Sequence, residues 1–205
     1  AIVGHGHVGG ALAVQWAKAG HTVTVGLRNQ QDDKMPALLA KAPGIQTASI
    51  PAAVAGADIV LVATPPGAIL DFAPTLGDVG GKVLIDATNS VFKKPEPYQH
   101  GVDALRGLTN AVHLVKCFNT TGFENMENPD YGNGLKADLF MAGSDVRAQD
   151  AARQLALDAG FAACHSFGGD DAIPLLEQFA LAWINLAMRQ GMGRDFMFKL
   201  HKRTA

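Results

Sequence analysis

Gly4, Gly6 and Gly9 stand at the spacing G-x-G-x-x-G within Ala1-Ile2-Val3-Gly4-His5-Gly6-His7-Val8-Gly9-Gly10. A turn built this way can cradle a pyrophosphate. The first glycine permits a tight bend, the second lets backbone amides approach the phosphates, and the third lets helix and strand pack closely. The anion then sits at a helix N-terminus, where unpaired N–H groups and the helix dipole favour negative charge. With 23 glycines in 205 residues the spacing alone is weak, so its context carries the reading. Ala1-Ile2-Val3 reads as the end of a buried strand, Val8 to Ala19 as a helix stopped by Gly20, and His21 to Gly26 as the next strand. Gly4, His5, Gly6, His7, Val8 and Gly9 are therefore the expected dinucleotide-binding loop. His5 and His7 could also be imagined as a metal pair, but no third ligand stands near them in the sequence, so they are expected to line the cofactor.

The second strand ends in Leu27-Arg28-Asn29 and carries no acid. A site selective for the unphosphorylated dinucleotide places an acid about 20 residues after the glycines, on the ribose 2′-hydroxyl. Here Gly26 holds that place, Arg28 follows, and Lys34 lies further on. A guanidinium can grip a 2′-phosphate with paired charge-assisted bonds where a carboxylate would repel it. Such a bond contributes about 1.5–3 kcal/mol, a preference of about tenfold to hundredfold. Arg28 and Asn29 are thus expected at the 2′-phosphate, and NADP is the expected cofactor.

The elements that must hold these residues alternate between strand and helix, which calls for a parallel sheet covered on both faces. Asp32 to Ala42 reads as a short helix interrupted by Pro36, and Gln46-Thr47 as a brief strand. Ala57 to Ala63 is a nearly continuous apolar run, the mark of a central strand, stopped at Thr64-Pro65-Pro66-Gly67. A helix over Ala68 to Leu76 and a strand over Lys82 to Asp86 follow. Asn89 to His100, with Pro95 and Pro97, is a loop. Val102 to Arg106 is a short helix and Ala111 to Phe118 a strand. Asn119 to Gly134 reads as a surface loop and a candidate lid. Leu139 to Gly143 is a strand, Ser144 or Asp145 caps the helix running to Ala159, and Phe161 to Phe167 is the last strand. From Asp170 the chain reads as helical with a break at Gly191-Met192-Gly193. The expected fold is α/β, a Rossmann-type doubly wound and mainly parallel sheet over residues 1–168, with a small C-terminal helical segment over 169–205.

In an open parallel sheet ligands bind beyond the carboxyl ends of the strands. Those ends supply Ala63, Thr64 and Pro65, then Ala87, Thr88 and Asn89, then Phe118, Asn119 and Thr120. The set is polar and mostly uncharged, suited to a nicotinamide carboxamide and ribose hydroxyls rather than to hydrolysis. Thr64, Pro65 and Asn89 are expected on the nicotinamide, and Phe118, Asn119 and Thr120 toward a second substrate. Hydride transfer between stacked rings needs positioning more than proton transfer, so no catalytic acid or base is assigned. Cys117 on an apolar strand reads as core, as does His113.

With 17 basic against 19 acidic residues, neither nucleic acid nor an acidic membrane surface is an expected partner. Cys117 and Cys164 give no disulfide framework and no zinc spacing, which suits a reducing cytoplasm. The apolar stretch Ala172 to Met188 is interrupted by Pro174, Glu177, Gln178 and Asn185, and reads as a largely buried helix instead of a membrane span. Leu176, Phe179, Trp183 and Ala187 share helical spacing and could be core or a dimer face. Because the chain opens inside a strand, a few residues are expected to precede it.

Over roughly its full length the chain resembles the NADP oxidoreductases dependent on the deazaflavin coenzyme F420. The resemblance is carried by Gly4 to Gly9, Val25-Gly26-Leu27-Arg28-Asn29, Ala63-Thr64-Pro65, and Asn185…Gly191-Met192-Gly193…Phe198-Lys199-Leu200. Val115-Lys116-Cys117-Phe118-Asn119-Thr120 is similar to a segment of the cytosolic reductase domain of the STEAP metalloreductases. The resemblance implies a Rossmann domain with a helical C-terminal piece, a homodimer, and hydride transfer between NADPH and a flavin-like ring, with deazaflavin, FMN or FAD as second substrate. It departs at Leu27, where the family usually has a serine, which removes a hydroxyl from the 2′-phosphate site. Two alternatives stay open: a 3-hydroxyacid-type dehydrogenase, for which Lys116 would be the acting lysine, and a non-catalytic NADPH-binding redox sensor.

Overall fold

The computed structural model describes residues 1–29 and 32–203. Among the described residues eight strands form one sheet in the order β3-β2-β1-β4-β5-β6-β7-β8. In chain order they are β1 (Ile2–Val3), β2 (Thr24–Leu27), β3 (Gln46–Ser49), β4 (Ile59–Val62), β5 (Val83–Asp86), β6 (His113–Cys117), β7 (Asp138–Ala142) and β8 (Ala163–Ser166). The first six run parallel, β7 pairs antiparallel with β6, and β8 is parallel to β7. Only β1 to β6 therefore send their carboxyl ends to one edge. The order reverses between β1 and β4, and a crevice opens at such a reversal.

Helices cover both faces. One carries α1 (His7–Lys18), α2 (Met35–Lys41), α6 (Phe123–Glu127) and α7 (Val146–Asp158); the other carries α3 (Ile50–Ala55), α4 (Ile69–Phe72), α5 (Gly101–Leu108) and α8 (Ile173–Ile184). The pleat decides which residues go where. Val83, Ile85, Val115 and Cys117 join the core under α1 and α7, while Leu84 and Leu114 join the core under α4, α5 and α8. Val60, Leu61 and Val62 of β4 are at most 1% exposed, as expected of a strand covered on both sides. Among the described residues no helix is long and apolar enough to cross a membrane.

Local chemistry sets the helix ends. Asp145 caps α7 by accepting from Ala148 N–H at 2.7 Å, and Ser49 caps α3 through Ala52 N–H. Helix α2 starts at Met35, later than the sequence predicts, because Pro36 belongs in a first turn where no N–H is needed. The helix expected over Ala68 to Leu76 is divided, with α4 flanked by the 3-10 turns Pro66–Ala68 and Ala73–Thr75. The loop expected over Asn119 to Gly134 contains α6.

The largest difference lies at the C-terminal end. Helix α8 continues through a π-helical turn over Asn185–Arg189, and the chain is then irregular to residue 203 instead of helical. Gly191 and Gly193 have φ of 70° and 76°, a left-handed conformation that ends a helix and turns the chain back. The returning segment packs Phe196 on Trp183 with ring centroids 5.1 Å apart and Phe198 on Phe179 at 4.7 Å.

Candidate functional site

The glycine loop joins β1 to α1 and is shaped by contacts that exclude side chains. Gly4 has φ of 97°, and a Cβ there would lie 2.5 Å from the Ala63 carbonyl oxygen. A Cβ on Gly9 would lie 1.9 Å from the Gly4 oxygen, so the start of α1 rests directly on the loop. Gly6, by contrast, has nothing among the described residues within 4 Å of where a Cβ would stand. It is the N-cap of α1, without a side-chain cap, and no acid stands in the first turn. The early N–H groups of α1 thus face open space beside a residue with no side chain, an arrangement that admits a phosphate. His7 is committed elsewhere, stacking on Phe123 with centroids 4.4 Å apart. A cleft of about 630 Å³ runs from His5, Gly6 and His7 along α1, toward Lys18, Lys34 and Lys41.

Arg28 and Asn29 follow β2 at the same edge, both exposed. Asp32 is an acid that the sequence reading passed over. Its Oδ2 lies 3.0 Å from His5 Nε2 and its Oδ1 accepts from Lys34 N–H at 2.9 Å. The His5 imidazole beside it, then the Lys34 N–H, holds the Asp32 carboxyl below its ordinary pKa. Asp32 is therefore drawn back toward the glycine loop.

The ends of β4, β5 and β6 form a buried polar layer. Thr64 sits against Gly4, and Thr88, Asn119 and Thr120 are at most 5% exposed. Asn119 Nδ2 donates to Asn89 Oδ1 at 3.1 Å, and Asn89 Nδ2 donates to the Asn119 carbonyl oxygen at 3.2 Å. Along these strand ends, Thr64 Oγ1, Thr88 Oγ1, Ser90 Oγ, Asn119 Oδ1 and Thr120 Oγ1 are buried with no hydrogen-bond partner among the described residues. Buried polar groups are nearly always satisfied, so unmet donors and acceptors gathered at one strand edge fit a polar ligand.

Phe118 and Lys116 both lie in the interior. Phe118 is fully buried, has φ of 65°, and packs edge-on against Trp16 at 5.6 Å. Its ring belongs to the core, so it does not face a second substrate; what this position gives the edge is a sharp backbone turn that presents Asn119. Lys116, the candidate acting lysine of the alternative reading, is enclosed with Asp86 and Glu177, 2.8 and 2.9 Å from its Nζ. Cys117 is core as expected. Its Sγ lies 3.7 Å from that of Cys164, and burial, then the Cys164 thiol, pushes its pKa well up. His113 is half-buried and bonded to Asp145 at 3.0 Å.

The sequence reading also missed the covering on the far side. Arg194, on the returning C-terminal segment, lies over the rings of Phe123 (5.3 Å) and Trp183 (5.2 Å) and donates to Glu124 Oε2 at 3.1 Å. Asn125 Nδ2 donates to the Phe196 carbonyl oxygen at 2.9 Å. This contact links α6, α8 and the segment beyond residue 190. The motif Gly191-Met192-Gly193 was the available signal, since two glycines so placed permit a reversal.

Residues 1–90 match the family described as NADP oxidoreductase, coenzyme F420-dependent. None of the curated proteins matches the sequence. Among solved structures, a candidate F420-dependent NADP-reductase from Arthrobacter sp. FB24 is 25% identical with a TM-score of 0.80, each chain covered to 98%. A hypothetical protein from Sinorhizobium meliloti is 25% identical with a TM-score of 0.69, over 82% of this chain and 83% of that one. A reductive aminase from Aspergillus terreus, solved with NADPH and ethyl levulinate, is 21% identical with a TM-score of 0.67. That alignment covers 93% of this chain but 61% of the aminase.

Proposed function

We propose that this chain is an NADP-dependent oxidoreductase that passes hydride between NADP(H) and a flavin-like ring, deazaflavin or flavin. The observation that carries the reading is the joining of two features along one sheet edge. An open glycine cradle with Arg28 beyond it suits a 2′-phosphorylated dinucleotide, and the unsatisfied polar layer around Asn89 and Asn119 suits its nicotinamide end. The family match over residues 1–90 supports the same reading.

The residues divide the work. Backbone N–H groups of His7, Val8 and Gly9 would hold the pyrophosphate, and Arg28 with Asn29 the 2′-phosphate. Ala63, Thr64 and Pro65, with Ala87, Thr88 and Asn89, would bound the ribose and carboxamide. Asn119 and Thr120 would meet the acceptor side. NADPH, when bound, supplies the hydride; the protein orients the ring and excludes water. Reading the chain as a hydroxyacid dehydrogenase needs Lys116 free to reach a hydroxyl, and its enclosure by Asp86 and Glu177 speaks against that. A homodimer belongs to the same proposal, but the stripe Leu176, Phe179, Trp183 and Ala187 is packed within the chain and is not its contact face.

The test is calorimetric titration with NADPH and NADH. NADPH is expected to bind about tenfold to hundredfold more tightly. Equal dissociation constants would remove the 2′-phosphate assignment.

A further inference from the structure

Beneath the strand-end layer, Asp86 and Lys116 are register partners on β5 and β6, and Glu177 reaches them from α8. The side chains of Lys116 and Asp86 are 0% exposed and that of Glu177 is 9% exposed. Lys116 Nζ lies 2.8 Å from Asp86 Oδ2 and 2.9 Å from Glu177 Oε1, and donates to the Thr88 carbonyl oxygen at 2.8 Å. The two carboxylates also accept from the turn above them. Asp86 Oδ1 takes Thr88 N–H at 2.9 Å and Glu177 Oε1 takes Ser90 N–H at 3.2 Å. Every one of the partners of the two carboxyl groups is a donor. Burial alone would lower the pKa of Lys116, but Asp86 and Glu177 outweigh it and hold the ammonium form. In formal charges, one lysine and two carboxylates sum to −1.

The surroundings offset this charge only in part. His100, which caps α5 beside the group, is held below its ordinary pKa chiefly by burial, and so is neutral at neutral pH. The N-terminus of α5 abuts Asp86, where a Cβ on Gly101 would lie 2.5 Å from Oδ2; it supplies a partial positive charge. A structural lysine needs one counterion. A second carboxylate brought from α8 into this interior calls for a further account.

We propose that the Lys116–Asp86–Glu177 group biases the redox state of the nucleotide bound above it, with Glu177 as the positioning residue that makes its charge negative. This rests on reading the Thr88–Ser90 turn as the nicotinamide end of the site. When hydride leaves the reduced ring, two electrons and one hydrogen nucleus pass to the flavin-like acceptor and the nicotinamide is left with unit positive charge. A buried negative charge under the turn stabilises that cationic form over the neutral reduced one, and so favours donation from NADPH. Electrostatic interactions of this kind persist at longer range in a poorly screened interior than at the surface.

The experiment measures the dissociation constants of NADP⁺ and NADPH for the unaltered protein, Glu177→Gln and Glu177→Asp, with thermal unfolding of each. Glu177→Gln keeps the shape and a carbonyl acceptor but removes the charge; Glu177→Asp keeps the charge. The expected result is that Glu177→Gln weakens NADP⁺ relative to NADPH by about fivefold or more, while Glu177→Asp leaves the ratio near that of the unaltered protein. An unchanged ratio in Glu177→Gln, or equal shifts in both variants, overturns the proposal. If neither variant folds, the unaltered protein decides alone: NADP⁺ binding at least as tightly as NADPH supports the proposal, and much weaker NADP⁺ binding overturns it. Failure of both nucleotides to bind the unaltered protein would instead overturn the reading of the site.

Discussion

Asn89 and Asn119 hold each other across the ends of β5 and β6, 3.1 Å from Asn119 Nδ2 to Asn89 Oδ1 and 3.2 Å from Asn89 Nδ2 to the Asn119 carbonyl oxygen. The pair fixes two strand-end turns against one another, so neither residue acts alone. Asn119→Ala and Asn89→Ala are each expected to lower kcat/KM about tenfold, and the double variant to lose little more than either one. Steady-state kinetics on the four proteins measures the coupling. Additive losses would mean that the two side chains serve separate purposes.

Gly6 and Gly9 should part company when each is changed to alanine. Gly9→Ala drives a methyl into the Gly4 carbonyl and is expected to cost about 2–3 kcal/mol of stability. Gly6→Ala meets open space and should cost about 1 kcal/mol or less, yet lose at least about tenfold in NADPH affinity as the methyl fills the phosphate approach. Chemical denaturation with calorimetric titration separates the two effects.

Removing the guanidinium of Arg28 should weaken NADPH by about tenfold to hundredfold and leave NADH almost unchanged. A parallel loss for both nucleotides in fluorescence titrations would show that Arg28 acts on the fold or the pyrophosphate and not on the 2′-phosphate.

Asp138 ties the returning C-terminal segment to β7, accepting from Leu200 N–H at 2.8 Å and from Lys199 Nζ at 3.2 Å, with His165 Nε2 at 3.0 Å. Burial would raise the pKa of Asp138, but these partners outweigh it and hold it below the ordinary value of 3.8. A carboxyl depressed in the folded state contributes stability that is present above its unfolded pKa and lost as pH falls through the folded one. Asp138→Asn should therefore be about 1.5–3 kcal/mol less stable at neutral pH, and the gap should close as pH falls below about 4. Urea unfolding at several pH values reads it directly; a gap independent of pH would contradict the assignment.

The glycine turn and β4 were legible because their signals are local: a spacing and an unbroken apolar run. What was not legible depends on partners far along the chain. Glu177 reads as a polar interruption of an apolar helix until β5, β6 and α8 bring it 2.9 Å from Lys116. Phe118 sits among site-like neighbours in the sequence, but a backbone φ of 65° turns its ring into the core. The segment after residue 189 has helix-compatible residues, yet Phe196 and Phe198 gain aromatic partners on α8 by folding back. Tertiary packing overrides local propensity there.

The most direct measurement of the central claim is anaerobic mixing of the protein with NADPH and, in parallel, deazaflavin, FMN, FAD and a panel of small carbonyl compounds, following loss of reduced nicotinamide absorbance. The account predicts rapid oxidation of NADPH with a flavin-like acceptor and far slower oxidation of NADH. Tight NADPH binding with no turnover by any acceptor, or turnover with carbonyl compounds alone, would contradict it.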